Sequence, residues 1–227
     1  MVLSYKAVIG AILRATADPV PVDPAKTGMA WRGTATDLVL VDAEGKTFTV
    51  PLEAFGFNLP SDLLRRDHTY HLSGDLGQKS TGEAFIKHSE LTQSKICSSA
   101  PDHESIAGKT TMSAIGKVVN VSLDNDNEDE EFHLTVEAEH EGFDPRGNKS
   151  VSFEIIYRFG YFTPALKEAR YIKKGSSVYF QGTLVSQDPQ SKRFIVQVMQ
   201  HAEIAVTEDG EDVAHGNVVK GNVVWVE

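Results

Sequence analysis

The 227-residue sequence has a single cysteine, Cys97, and no apolar run that approaches the length of a membrane helix. One thiol excludes an internal disulfide and suits a reducing compartment. A spanning helix needs about 20 consecutive apolar residues, so no membrane segment is predicted. The N-terminus lacks the basic stretch and continuous apolar run of a secretory signal. We therefore expect an intracellular protein, with nucleus, mitochondrion and bacterial cytoplasm left open.

Basic residues are also scarce, since 22 Lys and Arg stand against 32 Asp and Glu and the formal net charge is −10. A protein that coats nucleic acid by bulk charge alone would be basic. The distribution is uneven, however, because the segment Asp144–His201 contains nine basic and four acidic residues and has a local charge of +5. This local excess is compatible with a binding face in the second half of the chain.

Motifs for catalysis and for cofactor or metal binding are missing as well. Gly108-Lys109-Thr110 lacks the upstream glycine of a phosphate-binding loop, and no nucleophile elbow occurs. His68 and His71 are three residues apart, a spacing that places them on opposite faces of a strand. The acidic run Asp124–Glu131 lacks the glycine and glutamate positions of a calcium loop and is predicted to be a solvated hairpin loop. We predict no enzyme, no cofactor and no metal.

What the sequence does contain is short β-branched or alternating runs separated by Gly, Pro, Asn and Asp, the pattern of an all-β protein. The predicted strands of the first half are Ala7–Arg14, Thr36–Val41, Lys46–Leu52, Thr69–Asp75 and Glu83–His88. Those of the second half are Ser113–Leu123, Glu131–Glu139, Ser150–Phe159, Ser177–Ser186 and Phe194–Ile204. A short helix is predicted after the third strand of each half, near Asn58–Arg65 and over Ala165–Ile172.

The two sets of strands resemble copies of one another. Val8-Ile9-Gly10 lies 106 residues before Ala114-Ile115-Gly116, and Phe55-Gly56 lies 104 before Phe159-Gly160. The run Tyr70–Leu76 precedes Val178–Leu184 by 108 residues, and Phe85 precedes Phe194 by 109. Matching order with slowly drifting spacing is typical of duplicated domains.

Five strands with one helix between the third and fourth is the layout of an OB-fold, a partly open Greek-key barrel. The predicted fold class is therefore all-β, with two tandem five-stranded OB-fold barrels. We assign residues 1–93 to an N-terminal OB-like domain, 94–109 to a linker, 110–206 to a C-terminal OB domain, and 207–227 to an acidic tail with an apolar end.

The C-terminal domain resembles the bacterial and mitochondrial type of single-stranded-DNA-binding protein. The resemblance covers roughly Ser113 to Ile204 and is most specific in the run Tyr171–Leu184, which is close to a Tyr-Leu-Lys-Lys-Gly-Ser-x-Val-Tyr-x-x-Gly-x-Leu pattern. Phe153 followed by Phe159-Gly160 also matches. Glu154 departs from the family, in which a neutral or basic residue is usual.

This resemblance implies non-enzymatic binding of single-stranded nucleic acid on an OB groove. Stacking on aromatic rings and basic contacts to phosphate would provide the affinity. The family's stacking rings map by position to Phe143, Phe153 and Phe159, although each of these could instead be a core residue. The basic candidates are Arg146, Lys149, Arg158, Lys173, Lys174, Lys192 and Arg193, of which the last two lie in the turn between the fourth and fifth strands.

The expected partner is single-stranded DNA, with RNA as an open alternative. The family resemblance further implies a homo-oligomer, a dimer being favoured for two barrels per chain, and a role in DNA replication or repair. The alternative function is a tandem-OB scaffold subunit of a nucleic-acid-processing complex, whose acidic surfaces would recruit basic protein partners.

Overall fold

The computed structural model describes residues 3–41, 45–59, 63–99, 102–125, 132–160 and 171–204. Its strands are β1 (Ala7–Ala15), β2 (Val20–Pro21), β3 (Ala30–Val41), β4 (Thr47–Asn58), β5 (Thr69–Gln78), β6 (Ala84–His88), β7 (Gln93–Cys97), β8 (Thr111–Asn125), β9 (Phe132–Asp144), β10 (Lys149–Phe159), β11 (Ser177–Gln187) and β12 (Phe194–Ile204). Its helices are a 3-10 turn at Glu90–Thr92 and the single turn α1 (His103–Ile106). Neither has the length or the apolar character that crossing a bilayer requires.

Five strands of the second half close into a barrel. Antiparallel pairs join β8 to β9, β9 to β10, β12 to β11, and β11 back to β8, while β10 and β12 run parallel. The ring order is thus first, second, third, fifth and fourth strand, as in a Greek-key barrel. In the first half, β1, β3, β4, β6 and β5 pair in the same cyclic order, again with one parallel pair, β4 with β6.

The two halves share one continuous sheet, because β1 pairs antiparallel with β8 from Ala7↔Ala114 to Gly10↔Thr111. The extra strands lie in the first half, where β2 pairs with β3 and β7 pairs with β5. Strand β7 and helix α1 fall in the segment predicted as a linker.

All ten predicted strands are present, and most are longer than predicted. The largest extensions are at β3, which begins at Ala30 rather than Thr36, and at β4, which continues to Asn58 rather than Leu52. Asn58, predicted to begin a helix, is therefore a strand residue, and residues 63–65 are not helical. The rest of that predicted helix, residues 60–62, lies outside the described residues, as does the second predicted helix up to residue 170.

The fourth strands of the two halves confirm the predicted spacing of 108 residues. Tyr70, Leu72 and Leu76 in β5 are core residues, as are their counterparts Val178, Phe180 and Leu184 in β11. At the third strands the predicted spacing is wrong by one residue. Phe159 points into the core, whereas Phe55 lies on the face of β4 opposite to the core residue Ala54. A shift of one residue reverses the face of every side chain in a strand.

Gly74 and Gly182 occupy the same place in the two rings, where the fourth strand crosses closely over the fifth. A Cβ atom on Gly74 would overlap the carbonyl oxygen of Lys87, and one on Gly182 would overlap that of Gln197. Only glycine allows this approach of two backbones.

We expect Gly182→Ala to lower the free energy of unfolding by about 1–3 kcal/mol, since a backbone atom must move to admit the methyl group. Urea unfolding followed by circular dichroism measures this effect. Gly28→Ala is the matched control, because no atom lies within 4 Å of its added Cβ. Equal unfolding midpoints for the two variants would contradict the packing argument.

A buried histidine links three strands of the second barrel. His140 is fully buried, with its Nδ1 atom 3.0 Å from the carbonyl oxygen of Ile115 and its Nε2 atom 2.9 Å from the hydroxyl of Tyr157. A neutral imidazole satisfies both contacts, donating to the carbonyl and accepting from the hydroxyl. Burial lowers the pKa of His140 from 6.5 to about 4, and burial lowers the pKa of His88 to about 4 as well.

These two histidines predict a loss of stability in mild acid. Between pH 6.5 and about 4 the unfolded chain binds protons that the folded chain excludes, so the free energy of unfolding falls as the pH falls. Each histidine contributes up to about 1.4 kcal/mol per pH unit in this range. In urea titrations at several pH values, His140→Leu should have a shallower pH dependence than wild type, although its stability at neutral pH is lower. A slope for His140→Leu equal to that of the wild type would contradict this assignment.

Candidate nucleic-acid interface

A groove lies on the outer face of the first half and is closed on one side by the second half. Its volume is about 760 Å³. Strands β3, β4 and β6 form its floor through Ala35, Pro51 and Phe85, and the β5–β6 turn forms one wall. The second half contributes Arg146 and Lys192. We call this space the inter-half groove.

The groove contains three cations and two carboxylates. Lys79 pairs with Glu83 at 3.1 Å, and Arg146 forms a close ion pair with Glu53. Lys192 is exposed and forms no ion pair with any described residue. The groove therefore has a small positive excess, centred on Lys192.

The backbone of Lys192 is held by contacts from both halves. Its carbonyl oxygen accepts hydrogen bonds from the Nε2 atoms of Gln78 at 2.6 Å and Gln187 at 2.8 Å. Its φ angle of 61° places it in the left-handed region, which non-glycine residues seldom adopt. The turn that contains Lys192 is thereby positioned against the β5–β6 turn, with Gly82 directly beside the lysine side chain.

Arg146 belongs to the loop between β9 and β10, but its side chain contacts residues of the first half. Its guanidinium lies 5.7 Å from the centre of the Phe55 ring, beside the Glu53 carboxylate. The hydrogen bond to Glu53 raises the pKa of Arg146. Two predicted site cations, Arg146 and Lys192, thus line one groove, although that groove is on the first half of the chain rather than the second.

Phe143 is half-buried beside this loop, and the Lys87 ammonium lies 5.7 Å from the centre of its ring. Lys87 also pairs with Asp75 at 3.2 Å. Lys87 belongs to the first half and Phe143 to the second, so this ring is part of the contact between the two halves. Only part of its surface is accessible to a ligand.

The other two predicted stacking rings lie in the interior. Phe159 is fully buried, with the His201 ring 5.4 Å away, and Phe153 is only 6% exposed and contacts the His140 ring at 5.7 Å. Protein atoms cover the faces of both rings, so in this conformation they are core residues. Their alternation with Ile155 and Tyr157 on one face of β10 is the signal for that role.

The outer face of the second barrel is acidic. Along β9 and β10 it displays Glu137, Glu139, Glu141 and Glu154. Arg193 pairs with Glu137 at 3.0 Å and with Glu154 at 2.9 Å. Burial alone would lower the pKa of the Arg193 guanidinium, but these two carboxylates outweigh that effect and raise it. This predicted site cation is therefore neutralised within the protein.

The remaining predicted cations do not converge on the groove. Lys149, Arg158, Lys173 and Lys174 are exposed and form no ion pair within the described part of the chain. Lys149 and Arg158 lie at opposite ends of β10. At the rise of a β-strand their Cα atoms are about 30 Å apart. No group of three potential metal ligands occurs among the described residues.

Comparison with solved structures shows a shared fold. The wild-type single-stranded DNA binding protein from Thermus aquaticus aligns with a TM-score of 0.50 and 14% sequence identity, over 94% of this chain and 98% of that one. A deletion mutant of the same Thermus aquaticus protein with one further substitution gives the same score and identity, over 92% and 98%. No protein-family model and no curated protein sequence matches the chain.

The ion pairs of Arg193 predict that it stabilises the fold. Arg193→Ala would leave Glu137 and Glu154 facing each other without a cation, and we expect it to lower the free energy of unfolding by about 1–2 kcal/mol. Arg158→Ala is the matched control in the neighbouring strand and should change stability by less than about 0.5 kcal/mol. Urea unfolding measures both variants. A similar cost for both would show that the carboxylate contacts contribute nothing.

Proposed function

We propose that the chain is a non-enzymatic protein that binds single-stranded nucleic acid, built from two tandem OB-type barrels. The observation that carries this proposal is the inter-half groove on the outer face of the first barrel. In OB-folds the second and third strands and the loops on either side of them bind oligonucleotides. In the first half these strands are β3 and β4, and the flanking β5–β6 turn contains Lys79.

The strand would lie along the inter-half groove, with Lys192 and Arg146 contacting phosphates. Phe143, at the contact between the halves, would offer its accessible edge to a base. Lys149, Arg158, Lys173 and Lys174 are weaker candidates, since their positions are compatible only with contacts at the ends of a longer strand. Because Phe153, Phe159 and Arg193 are engaged inside the protein, the proposed surface does not include them.

DNA is the preferred ligand in this proposal, in keeping with the fold shared with the Thermus aquaticus single-stranded DNA binding protein. Competition between DNA and RNA strands of equal length tests that preference. We also propose assembly as a homodimer, which would bring four barrels together, and participation in DNA replication or repair. Sedimentation velocity on the full chain tests the dimer.

Lys192→Ala should weaken binding several-fold, because it removes the groove cation that no described carboxylate neutralises. Fluorescence anisotropy with a labelled oligo-dT, at salt concentrations from roughly 50 to 200 mM, measures the affinity and its salt dependence. The slope of log Kd against log salt should fall by about 0.7, the value for one phosphate contact on a single strand. Lys117→Ala is the control, since Lys117 is an exposed lysine of β8 outside the groove.

A second candidate function is a protein-interaction scaffold, and the carboxylates on the outer face of β9 and β10 favour it. That surface would repel phosphate and attract a basic partner. The anisotropy titration separates the two candidates. Failure of the wild-type protein to bind oligo-dT at the lowest salt would reject the nucleic-acid proposal and leave the scaffold.

A further inference from the structure

An exposed aromatic pair lies on the first barrel, beyond the inter-half groove. Trp31 of β3 and Phe57 of β4 are direct cross-strand partners. Their ring centroids are 5.4 Å apart and the ring planes are inclined by 60°. Phe57 is 42% exposed and Trp31 is half-buried. These rings contribute little to the core, which is formed by the other face of the same strands.

Two further apolar side chains extend this surface. Met29 precedes Trp31 by two residues and is 55% exposed, and Leu59 follows Phe57 by two residues and is 46% exposed. We call these four residues, Met29, Trp31, Phe57 and Leu59, the aromatic platform. Exposed apolar side chains grouped at one end of two paired strands are typical of an interaction site, because leaving them in water is unfavourable.

The aromatic platform and the inter-half groove lie on the same face of the same two strands. Trp31, Gly33 and Ala35 alternate along β3, and Ala35 lines the groove. Glu53 of the groove and Phe57 of the platform are four residues apart on β4, a distance of about 13 Å. A single extended strand can therefore pass from one to the other without leaving the sheet.

Arg146 stands between the two surfaces. Its guanidinium nitrogen lies 3.1 Å from the position that a Cβ atom on Gly33 would occupy, so it covers β3 at Gly33 together with the Glu53 carboxylate and the Phe55 ring. Beside it runs the segment that joins β1 to β3, in which Val20 pairs with Gly33 and the Val22 amide donates to the Trp31 carbonyl oxygen at 2.9 Å. Such a first loop is one of the two that flank the ligand face of an OB-fold.

We propose that Trp31 and Phe57 stack on bases of a single strand that leaves the inter-half groove past Arg146. This inference rests on the proposed function and adds its base-binding subsite. A row that alternates a cationic groove, a guanidinium and exposed rings matches single-stranded nucleic acid, whose phosphates and bases need these two kinds of contact together. A protein partner with a purely apolar surface would make no favourable contact with the adjacent cations.

The second barrel lacks this arrangement along the described part of its outer face. There, β9 and β10 display Glu137, Glu139 and Glu154 in the middle of the strands. The corresponding part of β3 and β4 exposes Ala35 and Pro51, together with Glu53, which is paired with Arg146. In this proposal the nucleic-acid strand therefore follows the first barrel and avoids the equivalent face of the second. One chain would engage a shorter strand than two equivalent barrels could.

The experiment uses the fluorescence of Trp31, since the chain has only two tryptophans, Trp31 and Trp225. In a Trp225→Phe background the remaining emission comes from Trp31. Binding of oligo-dT should quench that emission, because stacking brings a base onto the indole. Trp31→Ala combined with Phe57→Ala should weaken binding by at least roughly 5- to 150-fold, the range for loss of one stacked base. Trp31→Phe should retain most of the affinity, because a ring remains.

Tyr171→Ala is the matched control, since Tyr171 is an aromatic residue of the second half that is 72% exposed. It should bind oligo-dT as wild type does. Urea midpoints of all variants establish that they are folded, and the quenching measurement needs no change to the aromatic platform itself.

The outcomes separate this inference from the proposed function. Unquenched Trp31 and unchanged affinity in the double variant, together with weakened binding by Lys192→Ala, would overturn the inference and leave the function intact. No binding by the wild-type chain would overturn both. A change in the sedimentation of the double variant without a change in its affinity would assign the platform to a protein contact instead.

Discussion

The antiparallel ladder between β1 and β8 is the constraint on which the arrangement of the two halves depends. It joins two strands that are each the first strand of a ring, so it fixes both rings in one continuous sheet. Small residues make this close pairing possible. A Cβ atom on Gly10 would already lie 3.1 Å from the Thr111 hydroxyl. The Glu141 amide, which donates to the Tyr5 carbonyl oxygen at 2.6 Å, continues the junction beyond the ladder.

The orientation set by this ladder places two loops of the second half against the first half. The β9–β10 loop brings Arg146 to Glu53, and the β11–β12 turn brings Lys192 to Gln78. The groove on the first barrel is therefore completed by residues that belong to the other repeat. Neither half contains the whole proposed site, and separating them would remove the two cations that the second half contributes, Arg146 and Lys192.

The strands of this fold could be predicted from the sequence because periodicity and turn residues are local signals. The fourth-strand repeat gave the correct spacing, since Gly74 and Gly182 meet the same steric requirement in both rings. The faces of Phe55 and Phe159 could not be assigned from that repeat. A difference of one residue in an intervening loop leaves the motif intact in sequence but turns its side chain to the other side of the sheet.

The ion pairs of Arg146 and Arg193 were beyond prediction for a different reason. Each depends on residues far along the chain, and the sequence does not reveal that Glu53 or Glu137 would neutralise them. For Trp31 a signal was available, since it alternates with Gly33 and Ala35. Gly and Ala have low strand propensity, so the predicted strand began only at Thr36 and left the tryptophan outside it.

The ion pairs of Arg146 and Arg193 reduce the positive charge that the protein can offer to phosphates. Among the described residues the groove holds one cation without an ion-pair partner, so release of counterions from phosphate can supply only a small part of the affinity. Stacking does not depend on net charge, because every base presents a π-face to an exposed ring. A chain of net charge −10 can therefore hold a single strand only if exposed rings such as Trp31 and Phe57 provide most of the attraction. In the proposed complex, the carboxylates of the second half would confine the nucleic-acid strand to the first half, because phosphates that crossed that face would meet charge of their own sign.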